Sequence, residues 1–86
     1  MEKGLLSIMA KNIPTDIKSV KVEKEPVELY KILKFENLVG SGGEAKFVIA
    51  QGLVFVNHAK ETRKRKKIFS GDIVEYNNVE IRIVVQ

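Results

Sequence analysis

Two short stretches of this chain carry residue types from which chemistry could be built. Residues 40 to 46 read GSGGEAK, and residues 60 to 67 read KETRKRKK. Glycine-rich segments that open a helix bind phosphates, because a residue without a side chain lets backbone N–H groups come close to the ligand. The same letters also make a tight junction between two helices. The second stretch sets Lys60, Arg63, Lys64, Arg65, Lys66 and Lys67 against Glu61 alone, within a chain whose net charge is +4. Elsewhere nine basic residues face ten acidic ones, so the positive character sits in one segment. Like charges packed together repel and are offset by solvent or by an anionic partner, of which nucleic acid is the commonest.

Enzyme chemistry finds little support. A nucleotide phosphate loop follows a strand and carries G-x-x-x-x-G-K-[ST] or G-x-G-x-x-G. Here Gly40 and Gly42 give a lone G-x-G, Lys46 is followed by Phe47, and the preceding element reads as a helix. His58 is the single histidine, it falls in a turn, and there is no cysteine to act as nucleophile or thiolate ligand. One histidine and scattered carboxylates match no metal-ligand spacing, and Asp72 is explained by the turn it occupies. No enzyme activity, metal or cofactor is expected.

The elements that must position the two stretches follow from periodicity. Eighty-six residues with 44% hydrophobic and 30% charged side chains make one small globular domain. The absence of cysteine suits a reducing compartment. The apolar part of Gly4–Ala10 is too short for a signal peptide or a membrane span, so a cytoplasmic, membrane-free protein is expected. Residues 1–15 read as a mobile arm, with the domain occupying 16–86. Val20 and Val22 alternate with charged neighbours like a short strand. Pro26 opens a first helix whose buried face is Val27, Leu29, Tyr30, Ile32 and Leu33, ending at Asn37 to Gly40 with Leu38 and Val39 turned inward. Ser41 and Glu44 have the S-x-x-E spacing of a capping box and start a second helix. Its core face is Ala45, Val48 and Ile49 with Phe47 beside them, Lys46 points to solvent, and Gly52 is the stop. Leu53–Val56, Ile73–Tyr76 and Val79–Val85 read as strands, with turns at Asn57-His58, Ser70–Asp72 and Asn77-Asn78. In the last strand Val79, Ile81 and Ile83 alternate with Glu80 and Arg82, as a sheet with one wet face requires. The fold class is α+β: two helices in a helix–turn–helix, then a small antiparallel sheet.

In that order and spacing, the glycine junction Gly40–Lys46, the segment Gly52-Leu53-Val54-Phe55-Val56-Asn57 and the strand start Gly71-Asp72-Ile73-Val74-Glu75 resemble a known family. It is the RNA-binding domain first described in ribosomal small-subunit protein four, or alpha-L motif, here called S-four-like. The resemblance spans about Pro26 to Val85, and the glycines together with Glu61-Thr62-Arg63-Lys64-Arg65 are most similar to small stand-alone bacterial members. Departures from the common pattern are Gly42 and Gly43, where arginine and serine are frequent, and Val27-Glu28-Leu29, where Arg-Leu-Asp is usual. The resemblance implies a non-catalytic, ribosome-associated protein, a monomer, with an RNA surface at Ser41, Gly42, Gly43 and Lys46 and, on a basic hairpin, Arg63, Lys64, Arg65, Lys66 and Lys67. Counterion release by the basic run supplies most of the expected affinity for ribosomal RNA or a ribosomal particle. The phenylalanines and tyrosines fall mostly on expected core faces, which favours recognition of shape and phosphate over base stacking. A protein-interaction module, with the basic loop docked on an acidic partner, is the alternative.

Overall fold

The computed structural model describes residues 16–85, so the arm at 1–15 lies outside the described residues. The elements run β1 (Asp16–Val22), β2 (Val27–Glu28), α1 (Leu29–Phe35), α2 (Gly42–Ala50), β3 (Val54–Val56), β4 (Ala59–Lys60), β5 (Lys67–Ile68), β6 (Ile73–Tyr76) and β7 (Val79–Val85). The five-stranded sheet has the order β1-β7-β6-β3-β4, and β2 and β5 form a separate two-stranded ribbon. The fold is α+β as the sequence implies, but the sheet is mixed: β1 lies parallel to β7, from Asp16 beside Val79 to Val22 beside Val85. Nothing in the alternation of β1 carries strand direction.

The turns explain the antiparallel part. Asn57 and His58 between β3 and β4, and Asn77 and Asn78 between β6 and β7, all have positive φ, from 52° to 70°. Two consecutive residues of this kind make the turn whose twist matches a hairpin, and asparagine tolerates it best after glycine. Asn57 is also cross-tied: its backbone N–H donates to Ile73 O at 2.7 Å, Ile73 N–H donates to Asn57 Oδ1, and Asn57 Nδ2 donates to Asp72 Oδ1 at 3.0 Å. Asp72 Oδ2 accepts from the Phe69 N–H. The V-x-V-N and G-D motifs thus lock β3 to β6.

Both helices end in the same device. In α2, Gly52 (φ 79°) donates to Ile49 O and Leu53 to Val48 O; in α1, Asn37 (φ 58°) donates to Lys34 O and Leu38 to Leu33 O. These paired bonds satisfy the last carbonyls and turn the chain back on itself, and Leu38 packs against the core. The first helix begins later than Pro26, because Val27 and Glu28 are extended and pair with Ile68 and Lys67.

One aliphatic core joins Leu29, Ile32 and Leu33 of α1, Ala45, Val48 and Ile49 of α2, and Val54, Val56, Val74, Ile81 and Ile83 on one face of the sheet, with Ile68 of β5 also fully buried. The phenylalanines do not enter it. Phe35, Phe47, Phe55 and Phe69 are all exposed, Phe47 at 61%. On α2 the buried positions 45, 48 and 49 share one face, and a residue two places from 45 and 49 points the other way at 100° per residue. Glu80 also departs from the wet-face expectation: it is 5% exposed, flanked by Ile17 of β1 and Glu75 of β6, and Arg82 Nε donates to its carboxylate at 2.7 Å. An interior strand shields even its outer face, and the ion pair makes that burial tolerable.

Candidate nucleic-acid interface

Of the basic run only Lys60 belongs to the β3–β4 hairpin; residues 61–66 connect β4 to β5, and this connection closes back onto the first helix. Glu28 precedes α1 without a side-chain cap, and the helix's first N–H groups are instead taken by the run's backbone: Leu29 N–H donates to Lys66 O at 2.9 Å and Tyr30 N–H to Lys64 O at 3.1 Å. Lys66 N–H donates to Arg63 O at 3.2 Å, which closes the loop into a turn. Carbonyls that point at a helix start leave their side chains to point elsewhere. Lys64, Arg65 and Lys67 are exposed and Lys66 half-buried. An open concavity of about 460 Å³ is lined by Arg63, Arg65, Lys66 and Lys67.

Two carboxylates divide this cluster. Glu61 accepts from Arg63 Nε at 2.8 Å, from Arg63 Nη2 at 3.1 Å and from the Arg63 backbone N–H at 2.9 Å. The side-chain hydrogen bond to Arg63, outweighing the opposing effect of burial and helped by the backbone bond and the charges of Arg63 and Lys66, lowers the Glu61 pKa to about 2. Glu28 accepts from Arg65 Nη1 at 3.2 Å and lies 3.7 Å from Lys31 Nζ. Among the described residues no carboxylate pairs with Lys64, Lys66 or Lys67.

A depressed carboxylate pKa stabilises the folded loop above the unfolded value and loses that contribution as pH falls toward the folded one. The Glu61–Arg63 clip is therefore expected to persist through pH 7 and pH 4 and to open as pH approaches about 2. The amide signal of Arg63 followed by NMR through an acid titration checks this; a midpoint in the ordinary glutamate range contradicts the clip.

At the helix junction Ser41 is the N-cap of α2, and its Oγ accepts from the Glu44 N–H at 3.1 Å. The returning bond of the box is displaced by one residue: Glu44 Oε1 accepts from the Gly40 N–H, at 2.7 Å, rather than from Ser41. Ser41→Ala is expected to cost about 1 kcal/mol of stability as a lost cap, whatever the protein binds. Denaturant melts measure it, and an unchanged midpoint removes the cap from the account. Gly42 and Gly43 both have ordinary φ, and a Cβ at Gly43 would meet only Ser41 Oγ, at 3.8 Å. Packing does not require glycine there.

Lys46 does not simply point to solvent. Its Nζ lies 4.6 Å from the centroid of the Tyr30 ring, and the Arg65 guanidinium carbon lies 5.2 Å from the same centroid. Tyr30 Cε2 also lies 3.8 Å from where a Gly42 Cβ would be. The start of α2, Lys46 and the basic loop are thus gathered around one ring. Arg63, which lines the same concavity as Arg65, is engaged by Glu61. In sequence Tyr30 reads as one more apolar position of α1, and Glu28, Lys31 and Glu61 carry no spacing signal that ties them to this site.

With this geometry in view, likeness to known proteins becomes informative. Residues 20–84 match the family model described as the S4 domain, and the chain belongs to that family. It is 45% identical over 58 residues to "Putative RNA-binding protein YbcJ" of Escherichia coli strain K12, covering 67% of this chain and 83% of that protein. It is 32% identical over 56 residues to "Probable ribosome maturation protein RlbA" of Bacillus subtilis strain 168, covering 65% of this chain and 79% of that protein. The solution structure of YbcJ, described as revealing an "alfaL motif involved in RNA-binding", superposes with a TM-score of 0.61 at 42% identity, over 77% of this chain and 85% of that one. Among the described residues no helix is long and apolar enough to cross a membrane.

Proposed function

We propose that this chain is a non-catalytic RNA-binding protein that recognises structured RNA, ribosomal RNA or a ribosomal particle, in the cytoplasm. The observation that carries this reading is that the basic loop caps α1 with its carbonyls and leaves Lys64, Arg65 and Lys67 exposed, with Arg65 meeting Lys46 at the Tyr30 ring. The kinship with proteins named for RNA binding and ribosome maturation supports it. The contacts follow from the chemistry of each group. Lys46, Lys64, Arg65, Lys66 and Lys67 neutralise backbone phosphates and release counterions. Arg63, shared with Glu61, shapes the loop and contributes less charge. The N–H groups at Ser41, Gly42 and Gly43 add an anion-favouring helix end worth a few tenths to about 1 kcal/mol, partly opposed by Glu44.

Ultraviolet crosslinking in cells followed by sequencing of the bound RNA tests this directly. Enrichment of ribosomal RNA is expected, and a nuclease-resistant association with an acidic protein instead favours the protein-docking alternative. Gly43→Ala separates the glycine backbone from the lysines. The change is expected to be neutral or to stabilise by up to about 1 kcal/mol, since the site is helical and open. It weakens RNA binding if a phosphate approaches that backbone. Equal affinity of parent and variant leaves Gly43 a plain helix junction.

A further inference from the structure

Tyr30 stands where α1, α2 and the basic loop meet. Three cations surround it: Lys46 Nζ at 4.6 Å from the ring centroid, the Arg65 guanidinium carbon at 5.2 Å and Lys31 Nζ at 6.0 Å. A cation within about 6 Å of an aromatic centroid is attracted by the negative face of the ring. That attraction offsets the mutual repulsion of like charges, as a carboxylate would. It differs from a carboxylate in one respect that matters for binding: the ring adds no negative charge for an incoming anion to displace. Glu28 plays the ordinary role for Arg65 and Lys31, but among the described residues no carboxylate pairs with Lys46. Lys46 and Arg65 come from elements far apart in sequence, and this ring is what they share.

We propose, resting on the RNA-binding reading above, that Tyr30 is a positioning residue whose ring holds Lys46 and Arg65 as a clamp for the phosphate backbone of RNA. Lysine and arginine side chains lose much rotamer freedom when they engage a phosphate, and a pair already ordered against a ring loses less on binding. The ring also sets the clamp at the start of α2, its edge lying 3.8 Å from where a Gly42 Cβ would be. The phenol oxygen has no part in this, so phenylalanine replaces tyrosine, whereas leucine keeps the apolar bulk and removes the ring face.

The test compares the parent, Tyr30→Phe, Tyr30→Leu, Lys46→Gln and the double variant Tyr30→Leu/Lys46→Gln. Fluorescence anisotropy reads their binding to a fluorescein-labelled RNA hairpin cut from ribosomal RNA, over a range of salt. Tyr30→Phe is expected to match the parent. Tyr30→Leu is expected to bind about three- to tenfold more weakly, with a shallower salt dependence. Lys46→Gln is expected to cost less in the leucine background than in the parent, because the lysine is no longer held in place. Parental affinity and salt slope in Tyr30→Leu, or losses that simply multiply in the double variant, overturn the inference alone. Absence of salt-dependent binding in the parent overturns the RNA reading as well. An NMR measurement on the parent keeps the proposal testable should Tyr30→Leu fail to fold. The ε-methylene protons of Lys46 are expected upfield from the ring current, both free and with the hairpin bound. Their return to ordinary positions on binding shows that the ring lets the lysine go, and overturns the proposal.

Discussion

Replacing Lys64, Lys66 and Lys67 together by glutamine is expected to lower affinity for a structured RNA by roughly two to three orders of magnitude at about 0.1 M salt. Each phosphate neutralised on a duplex contributes roughly 0.9 to the slope of log affinity against log salt, so the triple variant should also be shallower by up to about 2.7. The fold should survive. These three side chains form no ion pair among the described residues, and what the loop gives α1 is two backbone carbonyls, which glutamine also has. Surface changes of this kind usually alter stability by no more than about 0.5 kcal/mol each. Arg63→Gln is the contrasting control: it removes one positive charge that Glu61 already shares, so its effect on binding should be the smaller one while the loop loosens. Anisotropy titrations at several salt concentrations, paired with thermal melts, decide the matter. Parental affinity in the triple lysine variant would remove the basic loop from the mechanism.

A large stability effect is expected at Ile68. This residue is fully buried in β5, pairs with Val27 of β2, and directly follows the basic run. Truncating a buried isoleucine to alanine costs about 2–5 kcal/mol, because the lost transfer energy is joined by an unfilled cavity. For a domain of this size that is a large part of total stability. Ile68→Ala is therefore expected to lower the denaturant midpoint steeply, whereas Ile68→Val should cost only about 0.5–1.5 kcal/mol. The pair of variants also links fold to function: Ile68 anchors the end of the loop whose carbonyls cap α1, so weakening it should raise amide exchange at Leu29 and Tyr30 before the sheet opens. Melts close to the parent's in Ile68→Ala would show that β5 is not part of the cooperative core.

Much of this architecture was legible in the sequence because local rules act over a few residues. Ser41 with Glu44, the stops at Asn37 and Gly52, and the paired asparagines between strands are each decided by backbone conformation within four or five positions, and each stands where its residue types require. The family resemblance was likewise carried by short motifs, and the geometry gives a reason for two of them: Asn57 and Asp72 bond to each other and tie β3 to β6. The concentration of positive charge in residues 60–67 was also a property of sequence alone.

What only the tertiary structure decided are relations between residues distant in the chain. Periodicity carries no strand direction, so the parallel placement of β1 beside β7 was invisible, as was the burial of Glu80 between two neighbouring strands. A two-residue strand such as β2 is too short for a pattern, and Pro26 therefore read as a helix start. The exposure of Phe47 follows from which face of α2 the sheet and α1 occupy. Most of all, six basic residues within eight positions could not reveal how they would be shared out. Glu61 takes Arg63, Glu28 takes Arg65 in part, and Tyr30 gathers Arg65 with Lys46 from 19 positions away, because electrostatic and cation–π attractions depend on separation in space, and folding alone sets that separation.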